Sequence, residues 1–238
     1  MRVSELTQNQ LIQLQKKTVK TLALGQALGG FGLGATLSVG ALMAVELSGT
    51  PAWSGAAATL STLGSAASAI PLANLAYRSG RRIALGFGAA LAILGALGMI
   101  LAAFTRSFPI ELVALFLLGA GSAVGLQARF AAADIPTGQP KGKDLSLVVW
   151  ATTLGAVIGP NLIAPGEQLG LWLGMPHLSG PFIFTVAAQL SSTLVFWFGL
   201  RPDPLLVAKG LDSAKGGLKP KTSFKSAVAT LRRYPLAA

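Results

Sequence analysis

Cysteine is absent from the sequence, and histidine occurs only once, as His177. Without thiols the chain has no disulfide, no thiolate nucleophile and no cysteine-based metal site. No phosphate-binding loop of the form GxxxxGKS or GxxxxGKT is present, and neither histidine nor cysteine accompanies a serine in a pattern typical of acyl transfer. We interpret His177 as a solvated loop residue, and we expect no enzymatic activity, no cofactor and no metal site.

Charged residues are also scarce. They make up 11% of the 238 residues, whereas a soluble domain carries about a quarter. Apolar residues make up 52%, and the mean hydropathy is +0.62. The composition therefore predicts a protein whose surface mostly does not face water.

Long apolar stretches account for this composition. A membrane helix needs about 20 apolar residues, and six stretches reach that length: 21–45, 53–77, 83–104, 109–129, 145–164 and 181–200. A cleaved signal peptide does not explain the first stretch, because its apolar core is about twice as long as in such peptides. A soluble bundle does not explain the set, because soluble helices keep a polar face.

The net charge of +11 lies on one side of the predicted membrane. When the N-terminus is placed in the cytoplasm and the spans alternate, every lysine and arginine except Arg106 falls on the cytoplasmic side, as the positive-inside rule requires. The charge therefore indicates topology and attraction to anionic lipid, not nucleic-acid binding. We predict an all-α, multi-pass protein of the cell membrane with both termini in the cytoplasm. Its parts are an N-terminal segment (1–20), a six-span bundle (21–200) and a basic linker (201–238).

The loop between the second and third spans, ANLAYRSGRR (73–82), resembles the signature G-x-x-x-D-R-x-G-R-R of the major facilitator superfamily. Four positions carry the matching residue: Arg78, Gly80, Arg81 and Arg82. Ala73 replaces the glycine, and Tyr77 replaces the aspartate. Members of this superfamily have two six-span halves joined by a cytoplasmic linker. The resemblance implies that this chain forms one such half.

The same resemblance implies that the loop takes part in gating at the cytoplasmic ends of the helices. In the family the aspartate belongs to a charge network there, and Tyr77 does not carry that charge. Asp134, in the next cytoplasmic loop, is the alternative partner for the arginines. The competing interpretation is a basic turn that only marks topology.

The fifth span contains Gly155, Gly159 and Pro160, which resemble the G-x-x-x-G-P core of a motif found in drug–proton antiporters. Ser146 and Ile163-Ala164 stand where that motif has further glycines. Proline in this position bends a helix because it lacks the N–H group. The middle of the predicted spans offers no ionisable residue, so the coupling ion is left open.

In this family the first and fourth spans line the central cavity. The resemblance therefore implies six cavity candidates, whose alternative role is plain helix packing: Gln26, Phe31, Thr36, Gly121, Gln127 and Arg129.

We expect a secondary transporter that exports an amphiphilic small molecule by alternating access. Its expected partners are the lipid bilayer, the solute and a second six-span half, either in frame or on a separate chain. The expected chain end is a flexible linker at 215–221, an interfacial helix over 224–231 and a truncated seventh span at 234–238. A non-transporting membrane module, or a half-transporter with a separately encoded partner, is the alternative.

Overall fold

The computed structural model describes residues 7–214, and this part of the chain is helical without any strand. Six of its helical segments are long and apolar enough to cross a membrane. The prediction of an all-α membrane protein with six spans is confirmed. The predicted flexible linker (215–221), interfacial helix (224–231) and seventh span (234–238) lie outside the described residues.

The helix bounds differ from those of the apolar stretches that predict them, and the first, third and fourth helices are longer than their stretches. Within the described residues they are α1 Gln8–Ser48, α2 Ala56–Ser79, α3 Arg81–Thr105, α4 Phe108–Ala132, α5 Gly142–Ile158, α6 Ile163–Trp172, α7 Pro181–Gly199 and α8 Pro204–Ala214. Short 3-10 turns at Pro51–Trp53 and Gly159–Leu162 precede α2 and join α5 to α6. Helices α5 and α6 together form the fifth span.

Helix α1 extends well beyond the membrane thickness. Its 41 residues span about 60 Å, roughly twice the hydrocarbon core of a bilayer. Residues 8–20 form its first turns. Leu11 in these turns packs against Ile135 and Val207, so contacts distant in sequence extend the helix.

Glycines bring α1 and α5 into backbone contact. A Cβ atom on Gly30 would lie 2.7 Å from the carbonyl oxygen of Thr152, and one on Gly34 would lie 2.6 Å from that of Ala156. Lipid gives no hydrophobic drive for helix association, so this close approach is a main source of packing energy. Helix α1 also contacts α4 and α7, which places it at the centre of the bundle.

The two ends of the bundle differ in charge. At one end of the bundle α2, α4 and α7 finish and α3, α5 and α8 begin. We call this the basic end. It carries Arg81, Arg129, Lys141 and Arg201. At the opposite end α1 and α3 finish and α4 and α7 begin.

Candidate functional site

Arg81, the first residue of α3, forms a two-pronged ion pair at the basic end. Its Nε donates to Oδ2 of Asp134 at 2.8 Å, and its Nη2 donates to Oδ1 at 3.1 Å. The Arg81 residue is 9% exposed. Bidentate, charge-assisted pairs of this kind fix geometry as well as energy, so Arg81 holds the end of α4 against the start of α3.

Gln127 extends this network to a third helix. Its Oε1 accepts a hydrogen bond from Nη1 of Arg81 at 2.6 Å, and its Nε2 donates to the carbonyl of Ala69 at 3.3 Å. The side chain is thus directed toward α2 and α3 and does not reach the central cavity. The Arg81 guanidinium and the Gln127 amide therefore link α2, α3 and α4 by hydrogen bonds.

Gly80 separates α2 from α3 and has φ +96°, a conformation that side-chain-bearing residues rarely adopt. A Cβ here would also lie 2.5 Å from Oδ2 of Asp203. The same oxygen accepts the backbone N–H of Arg82 at 2.8 Å. The signature loop therefore requires glycine at this position for two independent reasons, its dihedral angle and the approach of a carboxylate.

Asp203 is a site residue that the sequence interpretation missed. Its Oδ1 accepts the backbone N–H groups of Leu205 and Leu206 at 3.1 and 3.3 Å, which caps α8. It thereby joins α8 to the loop that lacks its usual aspartate. An aspartate before a proline and an apolar run is a helix-start signal, but that signal does not reveal the contact with the loop.

Tyr77 also contacts α8. The Nζ of Lys209 lies 3.6 Å from the centre of the Tyr77 ring and donates to the Tyr77 carbonyl. This cation–π geometry is favourable by about 0.5–1 kcal/mol at an exposed site. Ala73 and Arg78 are exposed, while the Arg82 guanidinium lies 5.1 Å from the centre of the Trp197 ring.

Replacing Asp203 with alanine is expected to loosen α8 and the loop together. Loss of an N-cap costs about 1 kcal/mol, so the amides of Leu205, Leu206 and Arg82 should exchange with deuterium about fivefold faster. Hydrogen-exchange mass spectrometry measures this. Asp212→Ala, an exposed change on the same helix, is the control. Unchanged exchange at Arg82 in Asp203→Ala would show that the carboxylate does not hold the loop.

A cavity of about 200 Å³ lies between α1, α4, α5 and α7. Its polar lining consists of Gln26, Ser122, Arg129, Thr152, Gln189 and Ser192. Leu33, Val124 and four glycines, including Gly121, complete the wall. The lining thus combines amides, hydroxyls and one guanidinium with apolar surface.

Most polar groups of the cavity have a partner within the chain. Gln26 accepts a hydrogen bond from the Thr152 hydroxyl at 3.2 Å, and Ser192 donates to the Gly25 carbonyl at 2.8 Å. Gln189 donates to the Gly29 carbonyl at 3.4 Å. Among the described residues, the buried Nε of Arg129 has no hydrogen-bond partner. Arg129 is therefore a donor with capacity left for another molecule.

The structure divides the six cavity candidates. Gln26, Gly121 and Arg129 line the cavity. Thr36 instead donates to the Gly32 carbonyl at 2.7 Å and lies 3.3 Å from the Thr185 hydroxyl, inside the helix packing. Neither Phe31 nor Gln127 is part of the lining.

Four polar lining residues, Ser122, Thr152, Gln189 and Ser192, were not among the candidates. Polar residues in an apolar span are the available signal. Thr152 lies on α5, and Gln189 and Ser192 lie on α7; neither helix was expected to line the cavity. Ser122 lies on α4, which was expected to do so, but the sequence does not show which neighbour a side chain faces.

The antiporter-like residues mark a break in the fifth span. The helix α5 ends at Ile158, and Gly159–Leu162 continue as a 3-10 turn. Pro160 lacks the N–H that would continue the α-helical bonding. Gly155 is buried against the backbone of α1 at Ala27 and Gly30. These three residues therefore combine a close helix contact with a change of helix geometry.

Comparison with known proteins gives consistent matches. The Bacillus subtilis protein YdeG, described as an uncharacterized MFS-type transporter, is 40% identical over an alignment that covers 84% of the chain. A second Bacillus subtilis protein, YddS, has the same description and is 39% identical over 85% of the chain. The aligned part covers 47% of each of them. The riboflavin transporter RfnT of Brucella anthropi is 32% identical over 62% of the chain and 37% of its own length. The chain thus spans about half the length of the curated relatives it matches.

A family match agrees with these relatives. Residues 22–237 match the Major Facilitator Superfamily, and the names of the relatives describe transport rather than catalysis. Six membrane-spanning helices make the protein a multi-pass membrane protein. By this match, and by the loop signature at the start of α3, the chain belongs to the major facilitator superfamily.

Proposed function

We propose that the chain forms the first six-span half of a transporter that exports an amphiphilic small molecule by alternating access. The observation that carries the proposal is the cavity between α1, α4, α5 and α7, in which the Arg129 Nε is left without a partner. A buried donor without a partner is costly. A solute with an acceptor oxygen would satisfy it, while Leu33 and Val124 contact the apolar part of the same molecule.

The proposed gate is the network at the basic end. Alternating access requires two packings of the helix ends that differ by a few kcal/mol, and the Arg81–Asp134 pair with Gln127 is a discrete set of contacts that such a change would break. The positive-inside rule supports placing this end in the cytoplasm. Asp203 and the Tyr77–Lys209 contact add α8 to the gate.

The complete transporter, as we use the term, is this chain together with a second six-span half, in frame or on a separate chain. Support comes from the coverage of the relatives, 47% of their length. In such folds the solute site lies between two repeats near the bilayer midplane. The cavity described above would supply one wall of that site.

Export is the direction we propose, because the Gly155, Gly159 and Pro160 pattern resembles that of drug–proton antiporters. The break after Ile158 gives the fifth span a geometry that can change when the halves rock.

Solute flux in proteoliposomes tests the proposed function. Riboflavin is the first probe, because one relative is a riboflavin transporter, followed by a panel of amphiphilic compounds. We expect the complete transporter to move at least one of them down its gradient and to concentrate it when a pH gradient is applied. An intact, correctly inserted complete transporter that moves none of them would favour a non-transporting membrane module.

Replacing Arg129 with glutamine is expected to weaken solute binding. A hydrogen bond to a charged group contributes about 1.5–3 kcal/mol, which corresponds to a roughly 10- to 100-fold higher half-saturation concentration. Concentration-dependent flux measures this. Arg201→Gln, an exposed change at the same end of the bundle, is the control. An unchanged half-saturation concentration in Arg129→Gln would remove this residue from the solute site.

A further inference from the structure

Glu111 is a carboxyl group without any partner inside the bundle. It lies in the first turns of α4, at the opposite end from the gate. Its side chain is 0% exposed, and neither carboxyl oxygen has a hydrogen-bond partner. Ionisable residues within membrane spans are rare and mark functional sites, so this group calls for an explanation beyond packing.

The face of α4 that carries Glu111 is apolar. Ala114 and Leu115 follow it by three and four residues and therefore share its face. Both belong to a buried cluster that also contains Met43 of α1 and Met99 of α3. An ionised carboxylate in such surroundings is far more costly than a neutral one. The neutral acid is the form that this packing accommodates.

No cation neutralises Glu111 in the described part of the chain. The charged and titratable groups at this end are Glu46 on α1, Arg106 after α3 and His177 before α7. They pair with each other: Arg106 Nη2 lies 3.5 Å and His177 Nδ1 lies 3.4 Å from the Glu46 carboxylate. Helices α2, α5 and α7 place no charged residue at this end, and Glu167 is on α6, which packs against α7.

We propose that Glu111 is a proton-binding site, protonated while this end is packed and deprotonated when the end opens to water. The proton passes from the carboxylic acid O–H to water, and the resulting carboxylate is hydrated. Each cycle of opening and closing at this end would then release and bind one proton. As a coupling ion this proton rests on the proposed function, but its presence on Glu111 is measurable without any transport assay.

Infrared spectroscopy tests the protonation directly. The chain in lipid nanodiscs at neutral pH is expected to show a carboxylic-acid C=O band that disappears in Glu111→Gln and persists in Glu46→Gln. Glu46 is the matched control because it is a carboxylate at the same end with two partners. A spectrum of the original chain without a protonated carboxyl band would overturn the proposal, whatever the behaviour of the variants.

A cysteine reporter tests the link to opening. Because the chain has no cysteine, Ala103→Cys gives a single thiol in the same buried cluster. Raising the pH favours the carboxylate and hence the open end, so labelling by a membrane-impermeant maleimide should accelerate by up to about tenfold per pH unit, after correction for thiol ionisation.

Glu111→Gln mimics the neutral acid and should abolish this pH dependence, while Glu46→Gln should retain it. The correction for thiol ionisation comes from a second reporter, Ala52→Cys, at an exposed position. Labelling of Ala103→Cys that does not depend on pH would contradict the proposal, and so would an equal pH dependence when Glu111→Gln is added. Failure of the solute assay alone would leave both readouts intact, which separates this inference from the proposed function.

Discussion

Transport by the complete transporter is expected to fall about tenfold or more when Arg81 is replaced by alanine. The substitution leaves Asp134 and Gln127 without their shared partner in a site where both are largely buried. Removing one member of a buried pair costs about 3–5 kcal/mol, and a shift of that size moves a two-state equilibrium almost completely to one side. The proposed gate would then hold one conformation, and the rate of solute flux in proteoliposomes would report it.

Two variants make this result specific to the ion pair. Arg78→Ala removes an exposed arginine three residues earlier and should transport normally. Asp134→Ala combined with Arg81→Ala should recover part of the lost transport, because the double variant leaves no unpaired buried charge. Membrane insertion should be the same in all of them. Normal transport by Arg81→Ala would reduce the loop to a basic turn that marks topology.

Replacing Gly155 with valine is expected to separate α5 from α1 and to abolish transport. A Cβ at this position would lie 2.8 Å from the Cα of Gly30 and closer still to the carbonyl oxygen of Ala27. Backbone atoms do not move aside as flexible side chains do, and overpacking of this kind costs about 1–3 kcal/mol. Thermal unfolding of the purified chain in detergent, followed by circular dichroism, measures the loss of stability.

Gly142→Val is the matched control on the same helix. A Cβ on Gly142 meets nothing within 4 Å, so the unfolding temperature should stay within a degree or two of the original. A Gly155→Val chain that unfolds at the original temperature would show that α1 and α5 do not depend on this contact.

The sequence predicts the six spans well, because length and hydropathy decide whether a segment crosses a bilayer. It predicts their ends less well. Residues 8–20 are too polar to be counted as a span, yet they continue α1 because Leu11 packs against Ile135 and Val207. These partners are more than a hundred residues away, and no local pattern identifies them.

The signature loop between α2 and α3 shows a similar division. The sequence gives Asp134 as a candidate partner for the arginines of the loop, and Asp134 contacts Arg81. Asp203 and Lys209 also reach this loop, but they belong to α8 and its N-cap, which follow the sixth predicted apolar stretch. The sequence distance is over 120 residues in both cases. A motif confined to ten residues carries no information about that helix.

The cavity is the least predictable part. In a membrane bundle the lipid-facing and protein-facing sides of a helix are both apolar, so periodicity does not show which way a polar residue points. Gln26 and Gln127 are both polar residues in expected cavity helices, yet Gln26 lines the cavity and Gln127 binds Arg81. Glu111 has the same difficulty, since its position near the edge of a span does not reveal its burial.

The accessibility of the cavity from each side of the membrane tests the central claim most directly. Ser122 lines the cavity and is exposed there, and Ser122→Cys would be the only thiol in the described half. In the complete transporter, with the second half made free of cysteine, we expect an impermeant maleimide to label this thiol from either side. Solute should protect it, and Arg81→Ala should shift labelling strongly toward one side. Labelling from one side only, unchanged by solute and by Arg81→Ala, would contradict alternating access through this cavity.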